Sequence, residues 1–128
     1  MSIARLSLRV AAAAVFAVVS VGGVHAQNYP SKPVRVVVPF PPGAGADITT
    51  RLVTPKLSEA LGQQFVVDNR PGAAGHIGGE LVAHSPADGY TLLSTPASIV
   101  ISVSLYKKLP YNLERDLEPV GMMASTPF

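Results

Sequence analysis

"VVVPFPPGAGADITTRL", residues 36–52, sets three β-branched residues against a Pro-Pro-Gly-Ala-Gly turn and then a stretch of helical character. With the two residues before it, Val34 to Val38 (VRVVV) is a near-continuous apolar run, the pattern of a strand buried on both faces of a parallel sheet. Small residues between strand and helix leave backbone N–H groups approachable at the positive end of a helix dipole, which suits an anion. Gly43-Ala44-Gly45 begins like a dinucleotide fingerprint, but Ile48 holds the third glycine position. No Lys-Ser/Thr follows, so a phosphate-binding P-loop is excluded as well. A plain tight βα turn fits the same residues equally well.

Working outward, the elements alternate. Ala46 to Leu61 places Ile48, Leu52, Leu57 and Leu61 on roughly one helical face, with Gly62 as the stop. Pro55 falls inside this helix, so a kink or two short pieces are expected. Gln64 to Val67 predicts a second strand, followed by a loop from Asp68 to Gly75. His76 to His84 reads as a weaker helix, Ser85 to Gly89 as a turn, and Tyr90 to Ser94 as a third strand. Ser98 to Leu109 predicts helix or helical turns, and Leu117 to Met123 a fourth strand. Strand and helix repeated at this spacing imply right-handed βαβ crossovers and an α/β layered fold. Ligands of such sheets bind beyond the carboxyl ends of the strands. The loops 41–45, 71–75 and 95–98 each follow a strand and would gather there.

The first 26 residues read as an export leader rather than as part of the fold. Arg5 and Arg9 form a positive region, Val10 to Val21 an apolar core, and Val24-His25-Ala26 a small-residue cleavage site. The apolar run is shorter than the roughly 20 residues a membrane span needs. Cleavage after Ala26 leaves 102 of the 128 residues, enough for one small domain, and all twelve prolines lie among them. The net charge of +2 comes from ten Lys and Arg against eight Asp and Glu, and two of the ten are Arg5 and Arg9. The remaining chain is formally neutral, and only Lys107-Lys108 makes a basic pair, which excludes nucleic-acid binding. Cysteine is absent, so neither disulfides nor a thiolate metal site stabilise the domain.

Asp47 sits where a helix N-cap belongs, with a ligand role as the alternative. Arg70 either forks onto a carboxylate or is an ordinary surface arginine. His76 and His84, eight residues apart on one helix, lie over two turns apart and cannot share a metal. No nucleophile elbow, paired catalytic carboxylates or metal cluster appears, so nothing argues for an enzyme or for a cofactor. Asp68, 23 residues beyond Gly45, is the one feature favouring a small Rossmann-like nucleotide-binding enzyme domain. The leader and the missing third glycine outweigh it.

The blocks "YPSKPVRVVVPFPPGAGADITTRL", "LSEALGQQFVVDNRPGAAGHIGGE", "PADGYTLLSTPAS" and "SLYKKLPYNLERDLEPVGMMASTP" resemble the tripartite tricarboxylate transporter receptors, also called Bug proteins. The similarity runs from Tyr29 to Phe128. It rests on Pro-Phe-Pro-Pro-Gly followed by Asp, on Asn-Arg-Pro-Gly-Ala and on Asp-Gly-Tyr-Thr-Leu, which are more specific than any glycine motif alone. The resemblance implies an α/β, parallel-sheet βαβ lobe of a type II periplasmic-binding-protein-like fold, with residues 27–128 forming part of the N-terminal lobe. It implies a periplasmic receptor that captures small carboxylate or amino-acid-like ligands and delivers them to membrane permease subunits. The ligand carboxylate would be held by backbone groups and ordered waters around Phe40, Pro42, Gly43, Ala44, Gly45, Ala46 and Asp47, around Arg70, Ala73 and Ala74, and around Thr95 and Ser98. Ala44 and Ala46 depart from the Gly and Thr or Ser usual at those positions, and Pro55 stands where a helix former is usual. A non-functional remnant of such a receptor is the remaining alternative.

Overall fold

The computed structural model describes residues 29–106 and 108–125, so the expected leader and its cleavage after Ala26 lie outside the described residues. Strand β1 (Val34–Val38) is the centre of a three-stranded parallel sheet, flanked by β2 (Phe65–Asn69) and β3 (Thr91–Leu93). The β-branched run pairs Val34 with Phe65 and Val36 with both Val67 and Leu92. Its four valines are buried, as expected for a strand covered on both faces. Val34, Val36 and Phe65 form a core against which Leu57, Tyr90 and Leu92 pack. Full burial of each such valine contributes roughly 1.5–3 kcal/mol.

Helix α1 (Gly45–Leu61) crosses from β1 to β2, and α2 (His76–Ala83) from β2 to β3. The first crossover runs from the central strand outward to β2 and the second runs back across the sheet to β3; right-handed crossovers in opposite directions place their helices on opposite faces of the sheet. Because all three strands are parallel, their carboxyl ends share one edge. A 3₁₀ turn (Ala73–Gly75) precedes α2, and α3 (Ser98–Val103) and α4 (Leu113–Asp116) follow β3.

Several expectations are corrected. The apolar set on α1 is not its buried face: Ile48, Leu52 and Leu61 are exposed, whereas Asp47, Thr50 and Thr54 are buried and Leu57 is half-buried. Polar anchors turn the helix this way. Thr50 Oγ1 donates to the Ala46 carbonyl at 2.6 Å and pairs with Ser94 Oγ at 2.6 Å, tying the helix to the end of β3. Ser58 Oγ donates to the Thr54 carbonyl and accepts the Phe65 N–H, both at 2.9 Å, tying its other end to β2. Helix α1 also runs through Pro55 as one element instead of two pieces, with Pro55 at an exposed position. Gly62, left-handed at φ +68°, ends the helix by donating to the Ser58 carbonyl.

Strand β2 extends two residues beyond the expected Val67, because Asp68 and Asn69 pair with Val37 and Val38. Helix α3 stops at Val103, short of Leu109. The expected fourth strand at Leu117–Met123 does not form. Pro119 removes a ladder donor there, and Val120 and Met122 are 84% and 83% exposed, with no strand beside them among the described residues.

Candidate functional site

The carboxyl edge of the sheet is built from three loops, and each is fixed by a different local device. After β1 the chain turns at Gly43, whose φ of +84° suits glycine. Ala44 takes the N-cap position of α1 in extended conformation and has no side-chain acceptor to offer the first-turn amides. Nothing lies within 4 Å of where a Gly45 Cβ would stand. The start of a 17-residue helix, with its positive dipole end, thus has no side-chain cap and open space beside Gly45.

Asp47 is not the N-cap expected from the sequence. It is the third helical residue, 3% exposed, and its carboxylate reaches back to accept the Gly43 N–H at 2.9 Å. Arg51 Nε donates to both carboxylate oxygens at 2.9 and 3.0 Å, and Asn69 Nδ2 donates at 2.9 Å. The Arg51 hydrogen bonds, then the Gly43 amide and Asn69, hold the Asp47 pKa down to about 2. Asn69 also donates to the Phe40 carbonyl at 3.0 Å and accepts from Arg51 Nη2 at 3.0 Å. Asp47 therefore locks the first loop to β2, with its acceptor positions filled by protein groups. Arg51 and Asn69 belong to this site and were missed. The Asp47–Arg51 spacing of four is a usable signal, whereas Asn69 falls within the loop expected from Asp68 to Gly75.

The second loop is conformationally unusual. Ala73 and Ala74 hold φ of +46° and +53°, between Gly72 at +134° and Gly75 at +98°. A left-handed alanine costs roughly 1–2 kcal/mol, and such outliers gather where a structure presents backbone to a ligand. Gly75 is buried where its Cβ would lie 3.5 Å from Pro39 and 3.7 Å from the Phe40 ring, so this turn seats directly on the first loop. Arg70 is exposed, and its Nε donates to both oxygens of Asp68 at 3.1 Å. Asp68 also accepts from Arg35, and Arg35 first, with Arg70 adding to it, keeps its pKa below the ordinary carboxylate range. Arg70 lines a shallow groove with Ile77, Glu80 and Leu81 of α2 and with His84 just beyond its end. This is a different setting from the Gly43–Asp47 turn.

The third loop follows Ser94, whose N–H bonds the Val37 carbonyl at 2.9 Å and whose hydroxyl meets Thr50. Thr95 is half-buried, and Pro96, Ala97 and Ser98 are exposed. Of the residues named from the sequence, Pro42, Gly43, Gly45, Ala73, Ala74 and Ser98 are exposed along this edge. Phe40, Ala44, Ala46 and Thr95 are half-buried there, and Asp47 lies beneath them.

The profile of the tripartite tricarboxylate transporter family receptor matches residues 49–128. The chain belongs to this family. It is similar to the protein BugT of Bordetella pertussis, at 44% identity over 106 residues that cover 81% of this chain and 32% of BugT. Among solved structures, a periplasmic transporter is 48% identical with a TM-score of 0.60, over 66% of this chain and 29% of that one. MatC from Rhodopseudomonas palustris with bound malate is 35% identical with a TM-score of 0.60, over 69% of this chain and 30% of that one. The chain thus spans about a third of the length of the relatives it matches. The family is one of solute-binding receptors, not of enzymes, and the α/β fold is shared with the solved periplasmic transporter and with MatC.

Proposed function

We propose that this chain forms part of the N-terminal lobe of an exported receptor for small carboxylates, which passes its ligand to the permease subunits of a tripartite transporter. The observation that carries this reading is the start of α1, with no side-chain cap, left-handed Gly43 before it and open space at Gly45. The ligand carboxylate would accept from first-turn amides of α1, with the 73–75 turn and the 95–98 loop closing around it. Malate bound to MatC supports a dicarboxylate as the probe. One helix terminus contributes about 0.3–1 kcal/mol and each amide hydrogen bond about 1 kcal/mol, against at least about 4 kcal/mol for immobilising a ligand. Affinity at these loops alone is then about 1 mM or weaker, and a closing second lobe would strengthen the same contacts by excluding water.

Hydrogen–deuterium exchange of the chain purified from the periplasm, with and without malate, tests this. At ten times the dissociation constant, amides covered by ligand slow about elevenfold. Protection is expected in peptides spanning residues 39–52, 71–79 and 95–103. Gly45→Val, whose Cβ would meet no atom within 4 Å in the fold, should abolish it. Unchanged exchange in the native chain up to that ratio, or unaltered protection in Gly45→Val, would refute the assignment. Mass spectrometry of the same material should give a chain beginning at Gln27.

A further inference from the structure

His76, the first residue of α2, is 4% exposed and takes no part in the carboxylate site as described above. Its Nδ1 lies 2.9 Å from the Tyr111 hydroxyl and its Nε2 lies 2.9 Å from Ser102 Oγ. The Tyr106 ring meets it edge-on, with centroids 4.7 Å apart. The direction of these bonds follows from proton counting. Ser102 donates its single hydroxyl hydrogen to the Ile99 carbonyl at 2.8 Å, so toward His76 it accepts. In that arrangement Nε2 carries the imidazole hydrogen and, in the neutral ring, Nδ1 accepts from Tyr111. The result is one chain of donors from Tyr111 through His76 and Ser102 to the α3 backbone, with no buried side-chain polar atom left unpartnered among the described residues. Gly79 makes it sterically feasible, since a Cβ there would stand 2.5 Å from the Tyr111 oxygen.

The location of this chain is informative. His76 directly follows the left-handed 73–75 turn, and Ser102 lies on the helix that the 95–98 loop opens. Among the described residues no backbone hydrogen bond joins these two segments. The first loop is held independently, by Asp47, Arg51 and Asn69. We propose that His76 is a positioning residue for the carboxylate site, its Nε2–H···Ser102 bond setting the separation of the 73–75 turn and the 95–98 loop. The inference rests on the receptor function proposed above, but its test has a part that does not require ligand.

Exchange is measured on the native chain and on His76→Leu, His76→Gln, His76→Asn and Ser102→Ala, each with and without malate. Without ligand, His76→Leu and Ser102→Ala should speed exchange about tenfold in both the 71–79 and 95–103 peptides. Peptides covering β1, β2 and residues 43–52 should stay at native rates, which separates loss of positioning from loss of fold. With malate, both variants should retain protection at 43–52 and lose it in the other two segments. The Gln amide stands in for Nε2 and should restore the 95–103 segment; the Asn amide, which stands in for Nδ1, should not. Should His76→Leu fail to fold, Ser102→Ala removes the same bond while leaving the imidazole in place. Native exchange in both segments of ligand-free Ser102→Ala, or equal behaviour of the Gln and Asn variants, would overturn the proposal. Absence of malate protection in the native chain would instead count against the receptor function, with the ligand-free rates still deciding whether His76 ties the two loops.

Discussion

Replacing Gly78 by alanine sets two physical effects of opposite sign against each other. Gly78 lies inside α2, where alanine is favoured over glycine by about 0.5–1 kcal/mol from helix propensity. A Cβ at that position, however, would stand 2.7 Å from Pro39 Cβ, 3.1 Å from Pro39 Cα and 3.3 Å from the Arg70 carbonyl. Pro39 is fully buried at the exit of β1, and two of the three opposing atoms are backbone, so neither can swing aside. Restoring ordinary carbon–carbon contact at about 3.5–4.0 Å requires α2 to lift by roughly 1 Å. Overpacking of this kind costs about 1–3 kcal/mol, which exceeds the propensity gain across most of its range. The expected net loss is about 0–2.5 kcal/mol, centred near 1, with roughly 4–8 °C in Tm for each kcal/mol in a domain of this size. Thermal unfolding followed by circular dichroism at low protein concentration reads it directly. Gly78→Ala should lower Tm, while Gly45→Ala, which meets nothing within 4 Å, should leave it unchanged or raise it slightly. A raised Tm for Gly78→Ala would refute the close seating of α2 on β1 and, with it, the juxtaposition of the first two loops.

Three further outcomes follow from the same geometry. Thr50→Val should destabilise by about 1–3 kcal/mol, because Ser94 loses its buried partner, whereas Ile48→Ser on the exposed face should stay within about 0.5 kcal/mol in denaturant titrations. Gly43→Ala, free of clashes but held at φ +84°, should cost about 1–2 kcal/mol from backbone strain in the same titrations. Asp47 has a folded pKa lowered to about 2, so its stabilising effect is complete above the ordinary carboxylate range near 4 and is lost as pH falls through about 2. Exchange in the 39–52 peptide, corrected for intrinsic rates, should therefore rise as pH drops from about 4 to 2 in the native chain, and Asp47→Asn should remove that dependence.

The strand-turn-helix punctuation was legible in the sequence because its causes are local. A β-branched run cannot be other than extended and buried at Val34–Val38, glycine at 43 permits the left-handed turn, and glycine at 62 stops the helix. Parallel pairing then followed from the alternation of elements, and it brought the loops after β1, β2 and β3 to one edge, as expected. What failed was everything that depends on which atoms lie across the gap. The apolar stripe of Ile48, Leu52 and Leu61 is not the buried face of α1, because the buried Thr50–Ser94 hydroxyl pair and the bonds of the Ser58 hydroxyl to the Thr54 and Phe65 backbone outweigh a modest apolar preference once the sheet is in place. Asp47 is the third helical residue and not the N-cap, its carboxylate accepting the Gly43 amide, with Arg51 one turn along the same helix and Asn69 from β2 completing the lock. Leu117–Met123 has strand composition but no strand, since extended residues become a strand only through partners that composition does not specify. His76 shows the same limit. Its identity is plain in the chain, but its burial, tautomer and link between two loops exist only because Ser102 and Tyr111, 26 and 35 residues further along, close on its two nitrogens.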